Sequence, residues 1–202
     1  MDFGIGKFIV ILMSAVIVNN FVLSQFLGIC PFLGVSKELK SSVGMGLAVT
    51  FVMLIATAVT WPLQHYVLNV YGLDFLQIIV FILIIGSIVQ FVEMVLKKYI
   101  PSLYDALGVY LPLITVNCAL LGVTLLNIKK EFSLAESMVN SLGAGLGFLL
   151  AMVLFSGIRE QTENADPPES FRGLPITLIS AAILSLSFFG LKGVIENIFK
   201  FN

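Results

Sequence analysis

Six stretches of this chain run for about 20 residues each with scarcely a charge, the length an α-helix needs to cross a hydrocarbon core. They are residues 5–27, 43–63, 74–96, 107–127, 137–158 and 174–195. Charged residues gather between or at the edges of these stretches, in 37–40, 93–105, 129–136, 159–172 and 192–200. Backbone amides cannot stay unpaired in lipid, and the runs are too long for barrel strands, so helices are the only spanning structure they allow. Composition agrees: 58% of the residues are apolar and 11% charged, with mean hydropathy +1.05. Soluble domains carry about 25% charge, so a water-soluble fold would lack a polar coat. The expectation is one all-α integral membrane domain over residues 1–202.

The first stretch, Phe8 to Leu27, is too long for a signal-peptide core and reads as a retained first span. With 11 basic and 12 acidic residues, the balance argues against nucleic-acid binding. The connecting segments, the longest being 28–42 and 159–173, leave no room for a soluble catalytic domain. No nucleophile elbow, Ser/His/Asp arrangement or cleft of paired carboxylates is present. A lone histidine, His65, is read as a surface residue in an interfacial loop and rules out a histidine-rich metal site within the chain. Trp61-Pro62 is expected to close the second span, and the polar run 156–173 to form a solvated loop or docking site.

Two breakers fall within or just after a span. Gly28-Ile29-Cys30-Pro31 follows the first closely, and Pro112 lies within the fourth. The first and fourth helices are therefore expected to be interrupted.

The halves of the chain resemble each other. Val18-Asn19-Asn20-Phe21-Val22-Leu23 matches Val116-Asn117-Cys118-Ala119-Leu120-Leu121 at an offset of 98, and Gly44-Met45-Gly46-Leu47 matches Gly143-Ala144-Gly145-Leu146 at 99. Gly72-Leu73 matches Gly173-Leu174 at 101. Three spans separate corresponding positions, so the second repeat, 107–202, would enter the membrane from the face opposite to the first, 1–99. In inverted repeats function gathers near the midplane, where interrupted helices meet. Lys and Arg number six on one set of loops against five on the other, which orients the amino terminus outside by a single residue.

Polar residues in mid-span need a reason. Asn19, Asn20 and Asn117 lie on the two interrupted helices, where they either cap broken ends or line a midplane site. Cys30 and Cys118 are the only cysteines, one on each interrupted helix. A lone buried cysteine is usually a small apolar residue, a disulfide is open to them, and metal is the sharper option. Iron–sulfur clusters usually take four thiolates, so two would require a second chain. Glu93, with Gln90 one turn before it, is the nearest candidate for an ion path, though an interfacial pair of Glu93 with Lys97 is the simpler reading. The segments Gly44-Met45-Gly46 and Gly143 to Gly147 suit close helix contact rather than phosphate binding.

The segments 18–23, Leu27-Gly28-Ile29-Cys30-Pro31-Phe32-Leu33-Gly34-Val35-Ser36-Lys37, 111–119 and Gly157-Ile158-Arg159-Glu160 resemble the A-type membrane component of the Rnf complex. The resemblance covers essentially the whole chain. The E-type component of the sodium-translocating NADH:quinone oxidoreductase shares the second cysteine motif, while Asn19-Asn20-Phe21 and Cys30-Pro31-Phe32 favour the Rnf family. The resemblance implies a membrane electron-transfer subunit of a redox-driven pump. That pump moves electrons between ferredoxin and NAD⁺ and carries Na⁺ or H⁺ across the bacterial inner membrane. It implies that Cys30 and Cys118 are metal ligands of a [2Fe–2S] cluster shared with a homologous E-type subunit of opposite topology. Asn19, Asn20, Gly28, Pro31, Pro112 and Asn117 would form the cluster's surroundings, and other subunits of the complex would handle NAD, flavin and ferredoxin. A small non-redox transporter or channel component is the competing class.

Overall fold

A computed structural model describes residues 2–36, 38–71, 74–99, 111–115, 117–165 and 168–199. Among these there is no strand. Helix α1 (Asp2–Met13) runs on as a π-turn, Ser14–Val18, and a non-helical stretch then leads to the short α2 (Ile29–Val35). Helix α3 (Leu39–Leu63) continues through a second π-turn, Gln64–Leu68, and α4 spans Gln77–Tyr99. The short α5 (Leu111–Thr115) and α6 (Cys118–Lys129) flank a second break, followed by α7 (Leu134–Asn164) and α8 (Leu174–Phe199).

Helices α3, α4 and α7 are long and apolar enough to cross a membrane; among the described residues, Phe8–Val18, Leu113–Lys129 (interrupted at Asn117) and Leu174–Gly190 are shorter apolar segments. The expected first and fourth spans are thus not continuous 20-residue helices. The first ends at Val18, and the fourth is cut between Thr115 and Cys118. The part of the fourth window before Leu111 lies outside the described residues, as does the Gly72-Leu73 match.

Three local expectations need correction. Pro62 does not close the second span: α3 passes through it and stays helical to Tyr71. A proline removes one amide and crowds the carbonyl four residues back, and the ladder widens just beyond it, into the π-turn closed by Asn69 N–H on Gln64 O. His65 consequently sits on a helical turn, stacked on Trp61 at 5.3 Å between ring centroids, rather than in a loop. The polar run from Ser156 is helical as far as Asn164, so the loop begins only at Ala165.

The core is the pairing of α3 with α7. On α3 the buried face is Met45, Val49, Val52, Met53 and Ala56, and on α7 it is Ala144, Phe148, Ala151, Met152 and Phe155, each 99 positions later. Both sets follow the 3.6-residue period of a single helix face. A Cβ added to Gly46 would lie 3.0 Å from Leu149 Cα, and one added to Gly145 would lie 2.9 Å from Thr50 Cα. These contacts are reciprocal, since Gly145 and Leu149 stand 99 positions after Gly46 and Thr50. They also run in opposite senses along the two helices, so α3 and α7 are antiparallel. In lipid no hydrophobic force pulls helices together, and small residues permitting backbone approach take over that role.

A neutral polar network joins the same helices further along. Thr57 and Ser141 hydroxyls lie 2.7 Å apart, Asn127 Nδ2 donates to Ser141 Oγ, and Asn140 Nδ2 donates to Asn127 Oδ1 at 2.7 Å. Helix α4 is peripheral by contrast: 17% of its apolar window is buried, against 56% for α7.

Candidate functional site

The first break is organised by Asn20, which is fully buried. Its Nδ2 donates to Gly147 O at 2.8 Å and to Val16 O, and its Oδ1 accepts the N–H groups of Val22 and Leu23. One side chain therefore satisfies the end of α1, the start of the loop and a link to α7. Gly147 permits this, since a Cβ there would lie 3.1 Å from Val16 O and 3.3 Å from Asn20 Nδ2. The loop then turns on its own backbone bonds, Ser24 N–H to Asn20 O and Leu27 N–H to Phe21 O. Ser185 of α8 donates to Leu23 O at 2.6 Å. Asn19 is half-buried and donates to Ser14 Oγ at 3.0 Å, bracing the π-turn.

Gly28 ends this loop with φ +82°. An L-residue there pays a steric penalty, and space forbids one too: a Cβ would lie 3.0 Å from Phe148 Cε2, 3.2 Å from Ala119 Cβ and 3.3 Å from Asn117 Oδ1. The chain thus brings its own backbone against the second break.

Helix α2 begins at once with Ile29, placing Cys30 in its first turn, exposed on the surface of the chain. Pro31 is buried in that same turn, where an amide has no intrahelical partner and its absence costs nothing. Pro112 lies in the described helical segment Leu111–Thr115. Pro31 thus starts a half-helix, whereas what precedes the Pro112 segment lies outside the described residues. Phe32 anchors α2 by stacking on Phe155 at 4.2 Å. The far end is held by Arg159 of α7, whose Nη1 donates to Leu33 O at 2.8 Å and Ser36 Oγ at 2.9 Å. A cation on the carbonyl end of a helix also opposes its dipole.

The second break is short. Asn117 has extended backbone and caps α6, its Oδ1 accepting Ala119 N–H at 3.0 Å. Cys118 is the first residue of α6 and half-buried. The N–H of Gly28 points at its Sγ, 2.9 Å away. The two breaks therefore meet at Gly28 and Cys118, with Cys30 two residues beyond. Both cysteines are free thiols.

Among the described residues no group of three or more His, Cys, Asp or Glu could hold a metal ion. The site's own donor set is two thiols, one facing out of the chain. Glu93 and Gln90 lie on the peripheral α4, half-buried and exposed respectively. Asn19 and Asn20 stand at the start of the first break, whereas Gly28, Asn117 and Cys118 lie where the breaks meet. Arg159 is quoted in the sequence only within the Gly157-Ile158-Arg159-Glu160 segment; its anchoring of α2 shows only once α7 is seen to continue through the polar run.

Residues 8–195 match a family described as "Rnf-Nqr subunit, membrane protein". The chain is 56% identical to the A-type component of the Na(+)-translocating ferredoxin:NAD(+) oxidoreductase complex of Acetobacterium woodii, covering 92% of this chain and 97% of the relative. It is 52% identical to the A-type component of the ion-translocating oxidoreductase complex of Syntrophotalea carbinolica, covering 93% and 97%. Against the component of the same description from Vibrio campbellii, identity is 47% over 94% and 99%.

Proposed function

This chain belongs to the Rnf-Nqr family of membrane subunits, and from that premise we propose that Cys30 and Cys118 are half the ligand set of a [2Fe–2S] cluster inside the bilayer. Its kinship alone makes it a multi-pass membrane component of an ion-translocating oxidoreductase complex. The cluster is argued from one observation, the meeting of two helix breaks at Gly28 and Cys118 with the Gly28 N–H on the Cys118 sulfur.

The residues fit such a group. Thiolates are the usual ligands of iron–sulfur clusters, ordinarily four to a cluster. This chain has two, and an exposed Cys30 beside a half-buried Cys118 suits a site completed from outside. The other two thiolates would come from a homologous E-type chain of opposite topology. When bound, the cluster supplies one-electron transfer. The chain's part is to hold the thiolates and direct the Gly28 amide at one of them, an outer-shell bond of the kind that adjusts a metal centre. The loop and half-helices around it are held by Asn20, Phe32 and Arg159.

The reciprocal contacts of Gly46 and Gly145, and the core positions repeating at 99, support the inverted-repeat reading of the two halves. An inverted arrangement gives both faces equivalent approaches to the site, as coupling of electron transfer to Na⁺ or H⁺ movement requires. The relatives' names favour Na⁺ or an unspecified ion. The bacterial inner membrane, with the amino terminus outside, is the placement that goes with this role.

The test is substitution in the assembled complex. Cys30→Ser and Cys118→Ser should each abolish a membrane-embedded [2Fe–2S] EPR signal and lower the iron content by about two atoms per complex, the stoichiometry of one such cluster. An unchanged signal in both variants would sink the cluster reading and favour a non-redox transporter or scaffold role.

A further inference from the structure

The side chain of Asn117 is 4% exposed. Its carbonyl oxygen is committed as the cap of α6, accepting the Ala119 N–H. That commitment fixes the orientation of the amide, because a flipped group would set donor against donor. Its nitrogen, Nδ2, is buried and has no hydrogen-bond partner among the described residues. An amide donor left unmade in a protein interior costs about 1–3 kcal/mol, and lipid offers no water to relieve it. Asn20 makes the contrast plain: the same residue type at the first break uses both its oxygen and its nitrogen.

The location of this unused donor is specific. Asn117 immediately precedes Cys118, and its Oδ1 lies 3.3 Å from where a Gly28 Cβ would be. The adjacent Gly28 N–H already donates to Cys118 Sγ. Two donors thus stand at one sulfur-bearing junction, one satisfied and one waiting for an acceptor that the described residues do not provide.

We propose that Asn117 Nδ2 donates to a sulfur of the cluster that Cys30 and Cys118 help to hold, so that Asn117 is a positioning residue which raises the cluster's midpoint potential. This rests on the cluster reading above. A donor on a cluster sulfur stabilises the more negative, reduced state, which moves the potential upward. The cap and the donor belong to one side chain, so the start of α6 and the electronic environment of the site are set together.

The experiment uses the intact, cluster-loaded complex carrying Asn117→Ser. Serine caps a helix about as well as asparagine but has no amide nitrogen. The expected result is an EPR signal of undiminished intensity that still depends on Cys30 and Cys118, with a midpoint potential shifted to lower values. The reduced-to-oxidised ratio at the wild-type midpoint should fall at least about threefold, a tenfold change being about 59 mV for a one-electron couple. Pulsed EPR of complex labelled with ¹⁵N in asparagine side chains should show a weak ¹⁵N coupling in the wild type and none in the variant. An unchanged potential with unchanged nitrogen coupling overturns the proposal while leaving the cluster reading intact; a signal indifferent to both cysteines removes that reading instead. Should the serine variant fail to assemble, Asn117→Asp keeps the cap and must also lose the coupling. A wild-type complex without any side-chain ¹⁵N coupling refutes the role directly.

Discussion

The two helix breaks do related jobs by different means. The first is a loop over 19–28, whose amides and carbonyls are gathered by one buried side chain, Asn20. The second is a short cut between Thr115 and Cys118, capped by an asparagine that, among the described residues, uses only its oxygen. The long break brings Gly28 onto the other half and presents Cys30 outward; the short one keeps Cys118 close to the core. One break thus supports the fold, while the other leaves an amide donor without a partner among the described residues.

The largest effect is expected at the point where the breaks touch. Gly28→Ala puts a methyl within 3.0 Å of Phe148 and forces an L-residue to φ +82°. The backbone term alone costs about 1–2 kcal/mol, and the crowding adds to it. Iron analysis and spin quantitation of the purified complex should show more than half the cluster lost, whereas Gly34→Ala, with only Leu113 at 3.7 Å, should retain it.

The same substitution placed at both breaks separates their roles. Asn20→Ser removes the bond to Gly147 O and strands neighbouring groups in the interior, a loss of about 2–3 kcal/mol. Asn117→Ser keeps its cap and should change stability by less than about 0.5 kcal/mol. Thermal unfolding of the detergent-solubilised complex reads both, and equal destabilisation would contradict this division of labour.

Arg159 comes next. Arg159→Gln weakens charge-assisted bonds to Leu33 O and Ser36 Oγ by about 1.5–3 kcal/mol. Amide hydrogen exchange should speed up in residues 29–36 and leave 118–129 unaffected, with partial recovery in Arg159→Lys. The smallest effect is expected for Thr57→Val, which deletes the 2.7 Å contact with Ser141 well away from either break. It should cost about 1 kcal/mol and leave the EPR spectrum untouched.

Much of this was legible in the sequence because lipid imposes simple demands. Uncharged stretches located the helices, and the offset of 98–99 paired Gly46 with Gly145 before any contact was known. The cysteines stood out by scarcity. What the sequence hid depends on neighbours far along the chain. Pro31 marks the first break, yet in the sequence a proline reads alike whether it kinks a helix or, as in α2, begins one. Arg159 looked like loop because helix propensity does not reveal that α7 continues past the apolar run to meet Leu33. Thr57, Asn127, Asn140 and Ser141 carry no signal singly, since a buried network declares itself only when its members are brought together.

Whether this chain presents two thiolates to one shared cluster can be read from thiol reactivity in the assembled complex. With iron in place, both Cys30 and Cys118 should resist alkylation, as read by peptide mass spectrometry. After chelation, Cys30 should react quickly, being exposed, and Cys118 more slowly, being half-buried. Rapid modification of either cysteine while iron content and the EPR signal stay unchanged would rule out its ligation of the cluster.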